Sequence, residues 1–423
     1  MAKVFLPKGS RDLMPAMMNR RLMVIDTVRE VFARYGFEPL ETPAFERIET
    51  LTGKYGDEGE KLMFRILKRG AGGEAGEVDL ALRYDLTVPL ARVMAMNPGI
   101  PLPFKRSQIQ PVWRAERPQK GRFREFYQCD VDTIGTDSPI ADAECIAVVH
   151  DALTSLGLTD FTIRLNHRQI LRALAEAIDA AEQETSMLQA LDKLDKIGRE
   201  GVEKEMIERG FSVEQVHRLW SYLDGAPIPG AAEPEAHLRQ IFELALDLGV
   251  DPERVQIDRT LARGLDYYTG PVFETVLNGG YSGSISGGGR YDGLIGMFSG
   301  KGDVPAVGVS LGIERIFMLM EEMGLMPDTE TTTQVWATVF SETTRSATLE
   351  AAAILRQAGI RVQVSAREGK LGKQFKDAST RGVPFALVCG PDEAAAGTVV
   401  LKNLSTGEQF TGTPEQVAIK LGA

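Results

Sequence analysis

Residues 168 to 250 carry Ala, Leu, Glu and Lys at helical spacing, as in "ILRALAEAIDAAEQ" and "MLQALDKLDKIG", with a turn at "DGAPIPGAAEP". On either side the pattern is different. From Phe37 to Leu102 short apolar runs such as "LMFRIL" and "LALRYDLTVPLARV" alternate with the glycine-rich turns "GKYGDEGE" and "GAGGEAGE", and strand-like sequence returns near Val255. This order argues against regular βαβ alternation and predicts an α+β fold, with residues 168–250 as a helical insertion.

A long amphipathic helix opens the chain: in "NRRLMVIDTVREVFARYGF" Leu22, Ile25, Val28 and Phe32 fall on one face, which closes at Gly36. A first domain is expected over 1–325, and "GLMPDTETTT" makes 326–333 a polar linker. Residues 334–423 then run β, helix, β, basic helix, β, "GTVVLKNL" and a last helix from Pro414, predicting a small α/β domain with a mostly parallel core. It has no G-x-G-x-x-G after a strand and no P-loop.

Composition narrows the function classes. A chain of 423 residues with 43% hydrophobic content can bury a large core over two or three domains. Cys129, Cys145 and Cys389 form no C-x-x-C pair and no early apolar run follows a basic end, which argues against a disulfide scaffold, a cysteine zinc site and a secretory signal. No window nears eighteen uninterrupted apolar residues, so no membrane span is expected. The net charge of -11 leaves nucleic acid only a local basic patch to bind. Residues 331–423 hold ten Lys and Arg against eight Asp and Glu, so that end tolerates a polyanion best.

The densest chemistry lies in "FKRSQIQPVWRAERPQKGRFREFYQCDVDTIG", two β-like runs joined at "RPQKG". In a hairpin alternate side chains share a face, and one carrying Arg114, Glu116 and Arg122 suits a nucleoside triphosphate, with guanidinium forks on phosphate and a carboxylate on the adenine amino group. A solvated, salt-bridged hairpin fits the same spacing. The glycines of "YSGSISGGGRYDGL" allow close approach to a ligand and equally fit a bulged strand. In "VPAVGVSLGIERIF" the pair Glu314 and Arg315 reads as a structural ion pair or as a ligand contact. "RGLDYYTG" sets Arg263 beside Tyr267 and Tyr268.

These segments, in this order, resemble the motifs of class II aminoacyl-tRNA synthetases: "GFEPLETPAFE" with Pro43 for the first, "WRAERPQKGRFREFYQ" for the second and "AVGVSLGIERIF" for the third. "RGLDYYTG", "GGGRYDGL" and "LRYDLTVP" narrow the resemblance to the histidyl-tRNA synthetase family, over essentially the whole chain. The resemblance implies a class II catalytic domain with an antiparallel sheet flanked by helices, the helical insertion, and a C-terminal anticodon-binding domain.

It also implies L-histidine, ATP with Mg2+ and tRNA(His) as substrates, no organic cofactor, no metal held in a protein cage, and a cytoplasmic homodimer. Asp85, Thr87 and Gln128 would take the histidine ammonium; Tyr268 and Asp132 would pair with the ring nitrogens, with Tyr267 and Tyr291 completing the pocket. Arg263 and Arg114 would hold the α-phosphate during attack, Arg122 and Arg315 the γ-phosphate end, Phe126 and Arg315 would sandwich adenine, and Glu116 would accept its amino group. For tRNA the candidates are Arg117 and Gln119 at the acceptor end, and Arg361, Arg367, Lys370, Lys373 and Lys376 on the anticodon side.

The chain departs from common bacterial members at Asp85 and Leu86, where glutamate and glycine are frequent, and "YQCDVD" is commoner in eukaryotic and archaeal-type members. With no appended helical hairpin and no organelle presequence, a prokaryotic protein is expected. His150, His167, His217 and His237 show no metal spacing and receive no role. Two alternatives share the fold: the histidine-sensing, synthetase-like regulatory subunit of ATP phosphoribosyltransferase, and a catalytically dead tRNA sensor. The first usually lacks the C-terminal domain and degrades the histidine motifs, both present here; the intact Arg114, Arg263 and Arg315 speak against the second.

Overall fold

The computed structural model describes residues 4–262, 267–279, 283–326 and 331–422, without the side chains of 56–58. The chain divides into two compact units, Met1–Arg11 with Val24–Leu325 and Asp12–Met23 with Met326–Ala423.

In chain order the first unit contains β1 (Glu38–Pro39), β2 (Phe45–Arg47), β3 (Arg65–Leu67), β4 (Val78–Leu82), β5 (Phe104–Trp113), β6 (Glu125–Ile134), β7 (Phe161–His167), β8 (Val255–Ile257), β9 (Pro271–Leu277), β10 (Ser284–Arg290) and β11 (Ala306–Gly312). Eight of them form one sheet in the order β1-β5-β6-β11-β10-β9-β7-β8, and β2, β4 and β3 form a small second sheet. Every interior pairing of the large sheet is antiparallel; the edge strands β1 and β8 join in parallel. The α+β expectation is met. The α-helices Arg168–Ala177, Glu184–Leu191, Leu194–Glu208, Val213–Leu223 and Ala232–Asp247 lie between β7 and β8, neighbours at one edge, so the chain leaves and rejoins the sheet at the same place.

The opening helix covers Pro15–Arg34, and Gly36 takes the positive φ of 74° that follows its end. Ile25, Val28 and Phe32 are buried as their spacing requires, with Val24 and Val31 beside them, whereas Leu22 is 42% exposed. The buried stripe runs through 24, 25, 28, 31 and 32, the usual steps of three and four, and Leu22 falls off its edge.

The second unit adds β12 (Val335–Val339), β13 (Val362–Glu368), β14 (Phe385–Cys389), β15 (Val399–Asn403) and β16 (Gln409–Gly412), ordered β13-β12-β14-β15-β16. The core is mixed, not mostly parallel: β12 pairs in parallel with β13 and β14, but β14–β15 and β15–β16 are antiparallel. The six-residue helix Pro391–Ala396 is too short to cross the sheet and only a tight turn separates β15 from β16, so the chain must double back. Val335, Ala352, Leu355, Leu387 and Leu401 fill its core.

Candidate active site

Side chains alternate along a strand, so Gln128, Asp130 and Asp132 of β6 share one face. The register sets them opposite Gln110, Gln108 and Arg106 of β5, and opposite Gly312, Ser310 and Gly308 of β11. Charge concentrates at one end of this polar ladder. Arg106 is fully buried, its NH2 lying 3.0 Å from Asp132 Oδ2 and donating to the Leu86 carbonyl at 3.1 Å. The Tyr291 hydroxyl donates to Asp132 Oδ1. Burial raises the Asp132 carboxyl above its usual range, while Arg106 and the Tyr291 hydroxyl oppose the rise.

Glycine is what makes room for this carboxylate. A Cβ on Gly308 would stand 2.1 Å from Asp132 Oδ1, and one on Gly289 would meet the Pro271 carbonyl at 2.6 Å and the Tyr268 ring at 3.0 Å. The glycine run therefore admits the protein's own side chains between strands. It also carries a register shift between Ser284 and Ser286.

Aromatic rings stand beside the ladder. Tyr267 lies edge-on to Tyr268 at 4.9 Å and to Tyr291 at 6.0 Å, and its hydroxyl interacts with the Thr87 side chain at the start of helix Thr87–Met96. Burial holds the Tyr267 and Tyr291 hydroxyls far above their ordinary pKa, so both are neutral phenols. Asp85 Oδ1 accepts from the Tyr55 hydroxyl and from the Val88 N–H, each at 3.0 Å, whereas Oδ2 has no partner among the described residues. Burial raises Asp85 as well, against the pull of the Val88 N–H, Arg114, Tyr55 and Arg106. Gln128 spends its Nε2 on Ser310 Oγ at 2.9 Å, leaving Oε1 unpartnered among the described residues.

The cationic end does not follow the hairpin alternation expected for Arg114, Glu116 and Arg122. The β5–β6 ladder stops at Trp113 and Glu125, so all three residues sit in the connection, where alternation no longer decides direction. Arg114 folds back: its guanidinium carbon is 4.3 Å from the Tyr84 ring centre and 5.2 Å from that of Phe126, and its Nε donates to the Tyr84 carbonyl at 3.1 Å. Glu116 and Arg122 pair at 3.6 Å, and the exposed Arg117 and Gln119 lie in the same connection, where Gln119 bridges to Arg122. Arg315 reaches from helix Ile313–Glu322 to the Ser284 carbonyl. Its neighbour Glu314 is a structural ion-pair partner, bound to Arg11 and accepting the Tyr127 N–H at 3.3 Å. Arg263 lies outside the described residues.

Sequence reasoning missed Tyr55, Tyr84, Arg106 and Asp130. Asp130 was readable from the alternation in "YQCDVD"; Arg106 required the register. It also missed a buried pair behind the pocket. Arg290 Nε and NH2 bind Asp142 at 3.2 and 2.5 Å, NH1 donates to the Thr136 carbonyl at 3.0 Å, and the Arg290 carbonyl receives the Thr269 N–H at 2.8 Å. The end of "RGLDYYTG" is thereby tied to β10. On the second unit Arg361, Arg367, Lys370, Lys373 and Lys376 are exposed, and Lys370 adopts a left-handed conformation (φ 41°) where helix Leu371–Thr380 begins.

A family model for histidyl-tRNA synthetase matches residues 9–316, and one for an anticodon-binding domain matches residues 334–422. The chain belongs to the histidyl-tRNA synthetase family. Among its relatives, the histidine–tRNA ligase of Cytophaga hutchinsonii is 42% identical, each chain covered over 100% of its length. That of Aeropyrum pernix is 41% identical over 98% of this chain and 95% of its own. A crystal structure of histidyl-tRNA synthetase from Nostoc sp. PCC 7120 superposes with a TM-score of 0.86 at 31% identity, covering 100% of this chain and 99% of that one. For this histidyl-tRNA synthetase family member, residues 334–422 form the anticodon-binding domain that the basic helix belongs to. No described helix is long and apolar enough to cross a membrane.

Proposed function

We propose that this protein activates L-histidine with ATP, releasing pyrophosphate, and transfers the histidyl group to the 3′ end of tRNA(His). The observation that carries the reading is a buried pocket face in which Asp132 is held between Tyr291 and Arg106 while Asp85 and Gln128 each keep an oxygen with no partner among the described residues. A histidine ammonium needs such acceptors, and Asp85, Thr87 and Gln128 supply them; the ring would pair with Asp132 and Tyr268 against the wall of Tyr267 and Tyr291. Neutral phenols beside a carboxylate present a donor and an acceptor, as an imidazole requires. An isostere lacking one ring nitrogen leaves a buried group unpaired, at about 1–3 kcal/mol.

No side-chain nucleophile is needed, because the substrate carboxylate attacks the α-phosphorus. Arg263 and Arg114 stabilise the charge that develops there, with Arg122 and Arg315 at the γ-phosphate, Phe126 and Arg315 about adenine and Glu116 on its amino group. The Arg114 guanidinium, already packed on Tyr84 and Phe126, needs little reorganisation. Mg2+ enters with ATP, on its β- and γ-phosphates. Arg117, Gln119 and the basic residues Arg361, Arg367, Lys370, Lys373 and Lys376 bind tRNA, and the protein works as a cytoplasmic homodimer.

The test is ATP–pyrophosphate exchange with each of the twenty amino acids, with Arg263→Ala alongside. Exchange with histidine alone, largely lost in the variant, is expected. A folded protein that binds histidine yet supports no exchange would be a sensor instead.

A further inference from the structure

The amides of Gln108 and Gln110 are oriented from one end. Arg83 NH1 at 3.0 Å and the Thr42 N–H at 3.2 Å both donate to Gln110 Oε1, so an oxygen must stand there. Gln108 then turns its Nε2 to that oxygen at 2.6 Å and to Thr42 Oγ1 at 2.9 Å. Its own Oε1 is left without a donor among the described residues. Directly opposite across the strand pair stands Asp130, 3% exposed, whose Oδ1 also lacks a donor among the described residues. Two buried acceptors facing one another are costly, and a single proton satisfies both.

We propose that Asp130 is held as a neutral carboxylic acid donating to Gln108 Oε1, and that it is a positioning residue for histidine recognition, leaving Asp132 as the charged partner of Arg106. The inference rests on the reading of Asp132 as an acceptor for the imidazole. The groups facing Asp130 are Arg106 and Gln108 on β5, Asp132 on β6, Ser310 on β11, and Asp85. Asp85, Asp130 and Asp132 all draw on the one buried guanidinium of Arg106. Burial lifts Asp130 to about 7, Asp132 and Asp85 adding to the rise and Arg106 and Ser310 opposing it. Ionised, Asp130 confronts Gln108 Oε1 with a second bare acceptor and competes with Asp132 for Arg106.

Asn at this position reproduces the acid, since its amide N–H can donate where the carboxyl proton did. Pyrophosphate exchange is measured from pH 6 to 8.5 with the full-length protein and with Asp130→Asn. The wild-type KM for histidine should rise above neutral pH by up to about tenfold per unit, the limit for one proton, with the KM for ATP unmoved. In Asp130→Asn the low-pH value should persist across the range. Titration of histidine itself is common to both proteins, so the ratio of the two KM values is the readout. Parallel profiles, or a histidine KM raised at every pH in the variant, overturn the proposal.

Should the variant not fold, infrared spectroscopy of the wild type decides. A carboxylic-acid carbonyl band that vanishes on titration near neutral pH, and shifts in Gln108→Met, is expected; absence of any such band overturns the proposal. If the wild type showed no histidine-dependent exchange, the functional reading would fail while the band still reported the proton on Asp130.

Discussion

At the scale of single residues the pocket separates two jobs. Asp132 already accepts from Tyr291 and pairs with Arg106, so exchanging it for Asn keeps its size and removes the charge that Arg106 faces. Asp132→Asn should raise the KM for histidine by about 10- to 100-fold, the equivalent of one or two unpaired buried groups, with the KM for ATP within about twofold. An equal loss for both substrates would move Asp132 out of the ring pocket. Arg114→Ala removes a pre-placed guanidinium, and kcat for exchange should fall by about 10²- to 10³-fold with the histidine KM little changed. Most of these residue types were legible because their chemistry is crowded into short stretches. Arg106 and Tyr55 were not, since a lone arginine or tyrosine in a strand or loop carries no local mark and acquires meaning only through a partner 26 or 30 positions away.

Among the elements, the ones read correctly were those whose pattern is local. The β5–β6 pair follows from two β-like runs and a charged turn, and the opening helix from steps of three and four. What escaped is pairing at a distance: β16, a four-residue strand without apolar alternation, and the antiparallel return of β15, which depend on the length of the link before them. The Arg290–Asp142 bridge belongs to this scale, joining the end of β10 to helix Pro139–Ser155. With the two side chains 6% and 0% exposed, Arg290→Met leaves a buried carboxylate uncompensated and should cost about 3–5 kcal/mol in urea unfolding. Asp142→Asn with Arg290→Met together should recover part of that. A single variant that loses less than about 1 kcal/mol would show that the pair adds nothing to the fold.

Over the whole molecule two buried groups pull stability in opposite directions with pH. Burial, then the charges of His237 and Arg290, holds the His167 imidazole down to about 4 from 6.5. The unfolded chain therefore takes up a proton that the fold refuses, and stability falls as pH drops through that window, by about 3 kcal/mol. Asp130, lifted from 3.8 to about 7, keeps a proton that the unfolded chain releases, so stability falls as pH rises through its window, by about 4 kcal/mol. Urea titrations should show Asp130→Asn gaining on the wild type steadily from pH 4 to 7; a constant difference would mean that Asp130 titrates normally. Salt separates the two half-reactions in the same global way. Raising it should weaken tRNA charging steeply and exchange hardly at all, and neutralising Arg367, Lys370 and Lys373 together should lower the charging slope by about three. Finally, every single-nucleotide change that replaces a glycine codon by that of another amino acid introduces at least a Cβ. At Gly308 and Gly288 that atom would fall 2.1 and 2.2 Å from existing oxygens, so no one-step mutational neighbour fits at either position. A library meant to retune the pocket should hold both codons fixed and spend its diversity on the tyrosines.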